Sequence, residues 1–150
     1  MMQITPAKIS DIPALCELLG VLFSQEADFK PDFETQSRGL ARIINSPEIG
    51  VILVARKNSR VVGMVNLLYT ISTALGARVA LLEDMVISPS TRGSGIGSRL
   101  LEQAIQTARS SGCKRITLLT DLDNESAQRF YQRHGFTFSA MTPLRLSLGE

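Results

Sequence analysis

VALLEDMVISP (residues 79–89) runs directly into STRGSGIGSRLL (residues 90–101), and together they read as a strand, a glycine-rich loop and the start of a helix. The first stretch is rich in aliphatic and β-branched residues, and Pro89 ends it because proline cannot donate to a ladder. From Gly97 to Ser111, residues Leu100, Leu101, Ala104, Ile105 and Ala108 fall on one helical face. Gly112 closes that helix. Between strand and helix, Gly93, Gly95 and Gly97 let the backbone turn tightly and approach a ligand closely. The first N–H groups of a helix lack intrahelical acceptors, and the helix dipole favours an anion there. Arg92 and Arg99 add positive charge, so a phosphate group is the physical expectation. A flexible connection that holds no ligand is the competing reading. Two widespread phosphate motifs do not fit. A P-loop needs Gly-Lys-Ser/Thr, and the loop has no lysine. The Rossmann fingerprint needs a glycine where Ser98 stands, and it belongs to a parallel βαβ unit.

Upstream, IGVILVAR (49–56) and VVGMVNLLYTI (61–71) are strand-like runs joined by the turn-like Lys57–Arg60. With a second turn near Leu75–Arg78, they make an antiparallel meander with residues 79–89. Before Ile49 the sequence predicts a short strand near Gln3–Thr5 and a helix capped by Ser10. Ile12, Leu15, Cys16, Leu19, Leu22 and Phe23 line one face of that helix. A second helix runs from Asp32 to before Pro47, with Leu40, Ala41 and Ile44 inward. Downstream, KRITLLT (114–120) reads as a buried strand, then a helix from Asn124 to His134 stopped by Gly135. Two short strands, Phe136–Ser139 and Leu144–Leu148, complete the expectation. A meander followed by strand, helix, strand and helix gives an α/β class with a mixed, mostly antiparallel sheet flanked by helices.

The chain has 150 residues, the length of one domain, and no repeat or linker divides it, so residues 1–150 read as a single domain. Sixteen basic residues against 14 acidic ones leave a net charge of +2, and there is no Trp. That balance and the low aromatic content argue against nucleic acid as a partner. Cys16 and Cys113 sit in periodic apolar segments without a CxxC pair, which predicts buried thiols, no disulfide framework and no metal. No secretory signal and no apolar run of membrane-spanning length is visible, so the expectation is a soluble, cytoplasmic protein with no membrane partner.

Arg92-x-x-Gly95-x-Gly97 resembles the R/Q-x-x-G-x-G/A signature of the GNAT acetyltransferase superfamily, preceded by a Val-Ile-Ser-Pro strand end. About thirty residues on, NESAQRFYQRHGF (124–136) resembles that family's second signature, with Asn124 and Tyr131 seven apart. The likeness runs from Ile49 to Phe138. It implies a GNAT-like fold and acetyl-CoA as cosubstrate, its pyrophosphate held by Arg92, Gly93, Ser94, Gly95, Ile96, Gly97 and Ser98. The pantetheine arm would pair with Met85, Val86 and Ile87 like an added strand, between the strand ending at Ser88 and one starting near Lys114. A backbone N–H in Met85–Val86 would face the oxyanion. Asn124 would cap its helix and reach the pantetheine, and Tyr131 would protonate the departing thiolate.

Attack on a thioester needs a neutral amine, whereas an alkylammonium has a pKa of about 10.4. A proton acceptor is therefore required, and Glu83 and Asp84 are the conspicuous candidates inside an apolar strand. Adjacent strand residues face opposite sides, so the two act as a pair only if a bulge intervenes. Glu83 is the first choice as base or amine anchor and Asp84 as orienting group, with a structural ion pair to arginine as the other reading. Relatives that carry a Glu five residues before the Asn have their counterpart here in Leu119, so the likeness leaves the base unassigned. His134, at a helix end, reads as a solvated residue, and Asp121 and Asp123 as loop and capping groups. The stretch from Glu26 to Glu34 is acidic on balance and suits either a cationic acceptor or a solvated loop. The leading function is transfer of acetyl to a small-molecule primary amine. The alternatives are a protein lysine or N-terminal acetyltransferase and a non-catalytic acyl-CoA sensor, and family habit makes a homodimer an open expectation.

Overall fold

The aliphatic runs do form the meander. The computed structural model describes residues 2–24 and 32–149, so most of the acidic stretch at Glu26–Glu34 lies outside the described residues. Strands β1 (Met2–Pro6), β2 (Gly50–Lys57), β3 (Arg60–Ser72), β4 (Ala77–Ile87) and β5 (Ile116–Leu118) make one sheet in the order β1-β2-β3-β4-β5. All neighbours are antiparallel except β4 and β5, which are parallel. Asn58 and Ser59 both take positive φ at the β2–β3 turn, the backbone that a two-residue hairpin with the right-handed strand twist requires.

Helices α1 (Ile12–Ser24) and α2 (Phe33–Ile44) cover one face of the sheet. Leu15, Leu18 and Leu19 of α1 and Leu40 of α2 are buried with Ile52, Val54, Met64 and Val86. Asp32 accepts from Thr35 N as the N-cap of α2. Helix α3 (Ile96–Ser110) lies over the other face, where Ile96 packs with Ala55 and Val62 and a Leu100 methyl group lies beside Gly63. Ser10 does not cap α1. It sits inside a 3-10 turn, Ile9–Asp11, and Asp11 instead accepts from Lys8 N at 2.8 Å. The thiols are half-buried rather than buried: Cys16 Sγ lies 3.5 Å from Ser37 Oγ, and burial pushes the Cys113 thiol up.

The chain divides into two compact units, residues 1–119 and 120–150. The second holds α4 (Glu125–Arg133), capped by Asn124, whose Oδ1 accepts from Ala127 N at 3.2 Å. The two strands expected after Phe136 are absent: residues 136–149 have no regular secondary structure. Leu144, Leu146 and Leu148 do alternate, but each is at least 82% exposed, so the alternation buries no face. Among the described residues no helix is long and apolar enough to cross a membrane.

An ion pair missed in the sequence ties the N-terminal turn to the sheet. Arg56 of β2 donates through Nη1 and Nη2 to the two oxygens of Asp11 at 2.9 and 2.6 Å, and Asp11 is 8% exposed. The Arg56 hydrogen bonds hold the Asp11 carboxyl below its ordinary value of 3.8 despite its burial. Arg56→Leu leaves that carboxylate buried with only its Lys8 N–H, and should destabilise the fold by about 3 kcal/mol in urea unfolding. Because the folded pKa is depressed, this contribution is present above pH 3.8 and lost as pH falls through the folded value. The variant's deficit should therefore shrink in strong acid.

Candidate active site

Strand β4 is interrupted where the carboxylates stand. Its register against β3 pairs Asn66 with Glu83 and Met64 with Val86, so Asp84 and Met85 together oppose Val65 alone. This is a bulge. Asp84 adopts φ +54°, a left-handed conformation that Asp tolerates better than most residues. Strict alternation therefore fails here, and the bulge is the exception under which Glu83 and Asp84 need not face opposite sides. Asn66, directly across from Glu83, also donates from Nδ2 to Asp84 Oδ2 at 3.3 Å. One buried amide thus sits against both carboxylate positions.

The two carboxylates differ in environment. Glu83 is exposed. Burial pushes the Asp84 carboxyl upward, and the Asn66 hydrogen bond offsets only part of that. Asn66 itself is 3% exposed. Sequence reasoning missed it, although an Asn between Val65 and Leu67 in a long apolar strand is a signal, because Asn is depleted from strands.

Past the bulge, β5 does not accompany β4. Strand β5 pairs only with Ala80, Leu81 and Leu82, while β4 continues to Ile87. On the inner edge Ser88 N donates to Val62 O at 2.7 Å. Backbone direction alternates along a regular strand, so Ile87, beyond the bulge, directs its N–H group outward. The Arg92 side chain confirms this orientation, since its Nε donates to Ile87 O at 3.2 Å. An extended ligand arm could add to this edge as a strand does.

The loop follows at once. Gly93 and Gly95 both have φ +83°, and a Cβ at either position would meet nothing within 4 Å. The space there is open, and positive φ is what requires glycine. Gly95 is the N-cap of α3 and offers no side-chain oxygen to the first-turn N–H groups. Those of Ile96, Gly97 and Ser98 thus begin a fifteen-residue helix with its positive dipole end presented. Thr91 and Ser94 hydroxyls donate back to Ser88 O and Thr91 O, which fixes the loop. This cradle fits a diphosphate.

In the second unit, Tyr131 packs edge-on against Phe130 and Phe136, at centroid distances of 5.3 and 5.7 Å. Burial pushes its phenol up to about 12. Asn124 acts as a helix cap. His134 ends α4, with Nδ1 3.0 Å from Phe130 O and its ring against Phe130. Asp121 contributes its backbone carbonyl to Asn124 N and Gln128 Nε2. Among the described residues no cluster of three or more His, Cys, Asp or Glu could hold a metal ion.

The acetyltransferase (GNAT) family model matches residues 12–136. The chain is 32% identical over 138 residues to the uncharacterized N-acetyltransferase YhfO of Bacillus subtilis, covering 90% of this chain and 89% of that one. It is 28% identical over 134 residues to the aminoalkylphosphonate N-acetyltransferase of Salmonella typhimurium, covering 89% and 84%. Among solved structures, a predicted acetyltransferase with acetyl-CoA from Clostridium acetobutylicum superposes with a TM-score of 0.80 over 98% of this chain and 96% of that one. At 18% identity, that last similarity shows the fold.

Proposed function

This chain belongs to the acetyltransferase (GNAT) family and is an acetyl-CoA-dependent N-acetyltransferase, and from that premise we propose that it acetylates the primary amine of a small molecule by direct attack on the thioester. The observation that carries the reading is the bulge of β4, which sets a half-buried carboxylate beside the stretch of β4 that β5 does not pair with and that runs on into the glycine loop. We assign the pyrophosphate of acetyl-CoA to the loop Arg92–Ser98 and the pantetheine to Met85, Val86 and Ile87. A backbone N–H in Met85–Val86 is assigned to the oxyanion of the tetrahedral intermediate.

Asp84 is better suited than Glu83 to accept the proton. A useful base has a pKa near the working pH, and burial moves Asp84 in that direction. Glu83, exposed at the adjacent position, serves to attract the ammonium. Glu83 thus keeps the anchoring part of the role first expected of it, and the base moves to Asp84, first expected to orient. Tyr131, by its place in the second signature, is assigned as donor to the leaving sulfur, and Asn124 as the cap that fixes the start of α4. The small-molecule class is supported by the Salmonella typhimurium relative, which acts on aminoalkylphosphonates and matches most of this chain.

The test is thiol release from acetyl-CoA in the presence of a panel of aminoalkylphosphonates, amino sugars, polyamines and lysine-containing or free-N-terminal peptides. Turnover on a small amine with none on the peptides is the expected result. Turnover confined to peptides would overturn the small-molecule class. Binding of acetyl-CoA without turnover on any amine would overturn the catalytic assignment of Asp84 and Tyr131.

A further inference from the structure

Asn66 has one end satisfied and one end not. Its Nδ2 donates to Asp84 Oδ2 at 3.3 Å, while its Oδ1 is sealed from solvent and accepts from nothing. A buried acceptor left without a donor is costly and uncommon. The arrangement suits a neighbour whose own donor count changes. An ionised carboxylate only accepts, whereas a protonated one has an O–H to donate. Half a turn about the terminal torsion of Asn66 exchanges its oxygen and nitrogen within the same volume.

We propose that Asn66 is the positioning residue of the proton-accepting carboxyl, serving Asp84 in both of its protonation states by turning its amide over. This rests on the reading of Asp84 as the base. Before reaction, Nδ2 donates to the carboxylate. The substrate ammonium then passes one proton to Asp84, leaving R–NH2 and a carboxylic acid. The new O–H donates to Asn66 Oδ1, so the acid is held while the amine attacks. The N–C bond forms, the C–S bond breaks with its electron pair leaving on sulfur, and a second nitrogen proton ends on the thiol. Asp84 then returns its proton to solvent.

Among the described residues of the first unit, charged and titratable groups stand on the elements packed around this amide. Glu83 faces it across the strand pair. Helix α1, which packs over β3 and β4, carries Cys16, against Ser37, and the exposed Glu17. Helix α2, over β2, carries Glu34, Arg38 and Arg42, and β2 itself presents Ile52 to Asn66. The three residues of β5 carry no titratable group. On α3, over the other face, stand Arg99, Glu102 and Arg109.

Asn66→Val and Asn66→Thr form the matched pair for the test, nearly equal in shape and differing by one hydroxyl. The Asp84 carboxyl is followed by carbon-13 NMR titration of the free protein, alongside the acid limb of kcat/KM. Because the bond to the ionised carboxylate is the stronger of the two that are lost, both midpoints should rise together in Asn66→Val by about one to two pH units, and Asn66→Thr should recover most of that shift. Unchanged midpoints in folded Asn66→Val would overturn the proposal. Should Asn66→Val not fold, the wild-type titration decides. The Asn66 side-chain amide resonances must move with the Asp84 midpoint, and their indifference to it overturns the proposal equally. Full activity in Asp84→Asn would instead remove the parent reading of Asp84 as base, whatever Asn66 does.

Discussion

Asp84→Asn is expected to lower kcat/KM by about 10²- to 10⁴-fold, the range for loss of a positioned general base, while raising the melting temperature. The two effects share one cause. The folded pKa of Asp84 lies above the ordinary 3.8 because burial penalises the charge. Between 3.8 and the folded value, the native state holds more protons than the unfolded one. Stability therefore falls as pH rises through that window, and at neutral pH the ionised carboxylate is a net destabilising group. An amide removes the charge at constant shape, and Asn tolerates the φ of +54° that the bulge imposes. It can also donate to Asn66 Oδ1, the buried oxygen without a partner. Thermal melts at pH 7 and in mild acid, with thiol-release kinetics, check both halves. The gain should be largest at neutral pH and shrink in acid. A variant that melts lower and turns over normally would show that Asp84 is a structural group.

The elements that were legible in the sequence carry their own boundary signals. The meander follows from β-branched runs broken by Lys57–Arg60 and by the turn before Ala77, and α3 from three glycines, an apolar stripe and Gly112. In each case local backbone preference and burial pattern agree, so no tertiary information is needed. The C-terminal strands failed for the opposite reason. Alternation at Leu144, Leu146 and Leu148 shows only that a strand would be amphipathic, and a strand exists only where another edge accepts it. Ser10 failed as a cap because Asp11, one residue on, reaches both the Lys8 N–H and Arg56, and a long-range ion pair outweighs a local cap preference.

The site divides along the same line. The loop Arg92–Ser98 is written in contiguous residues whose backbone chemistry is local: Gly93 and Gly95 take positive φ, while Gly97 falls inside the helix, which starts at Ile96. The carboxylates are different. Glu83 and Asp84 could be noticed as charges in an apolar strand, but which one is buried depends on a register shift against β3, fifteen or more residues away in sequence. A bulge at a non-glycine residue has no signature of its own. Asn66 matters only through that register, which is why it could be seen in the sequence and still not understood.

Tyr131→Phe should cut kcat by about 10²- to 10³-fold, the usual effect of removing one aligned transition-state donor, and leave acetyl-CoA affinity nearly unchanged. The ring is held by Phe130 and Phe136, contacts that Phe repeats, so the fold should survive. The magnitude follows from what this phenol can do. Burial lifts it to about 12, whereas a thiol has a pKa of about 8.5, so full proton transfer to the sulfur is uphill by roughly 3.5 units. In the role proposed for it, Tyr131 would hydrogen-bond the developing thiolate rather than surrender its proton, with the thiol acquiring its hydrogen from the attacking nitrogen. The pH profile distinguishes these roles. A donor that never ionises gives no alkaline limb of its own below about pH 12. Stability should fall as pH rises from 10 towards 12, since the unfolded phenol loses its proton first, and Tyr131→Phe should abolish that slope. If kcat stays at the wild-type value while the dissociation constant of acetyl-CoA rises, the phenol belongs to cofactor binding and the chemistry lies elsewhere.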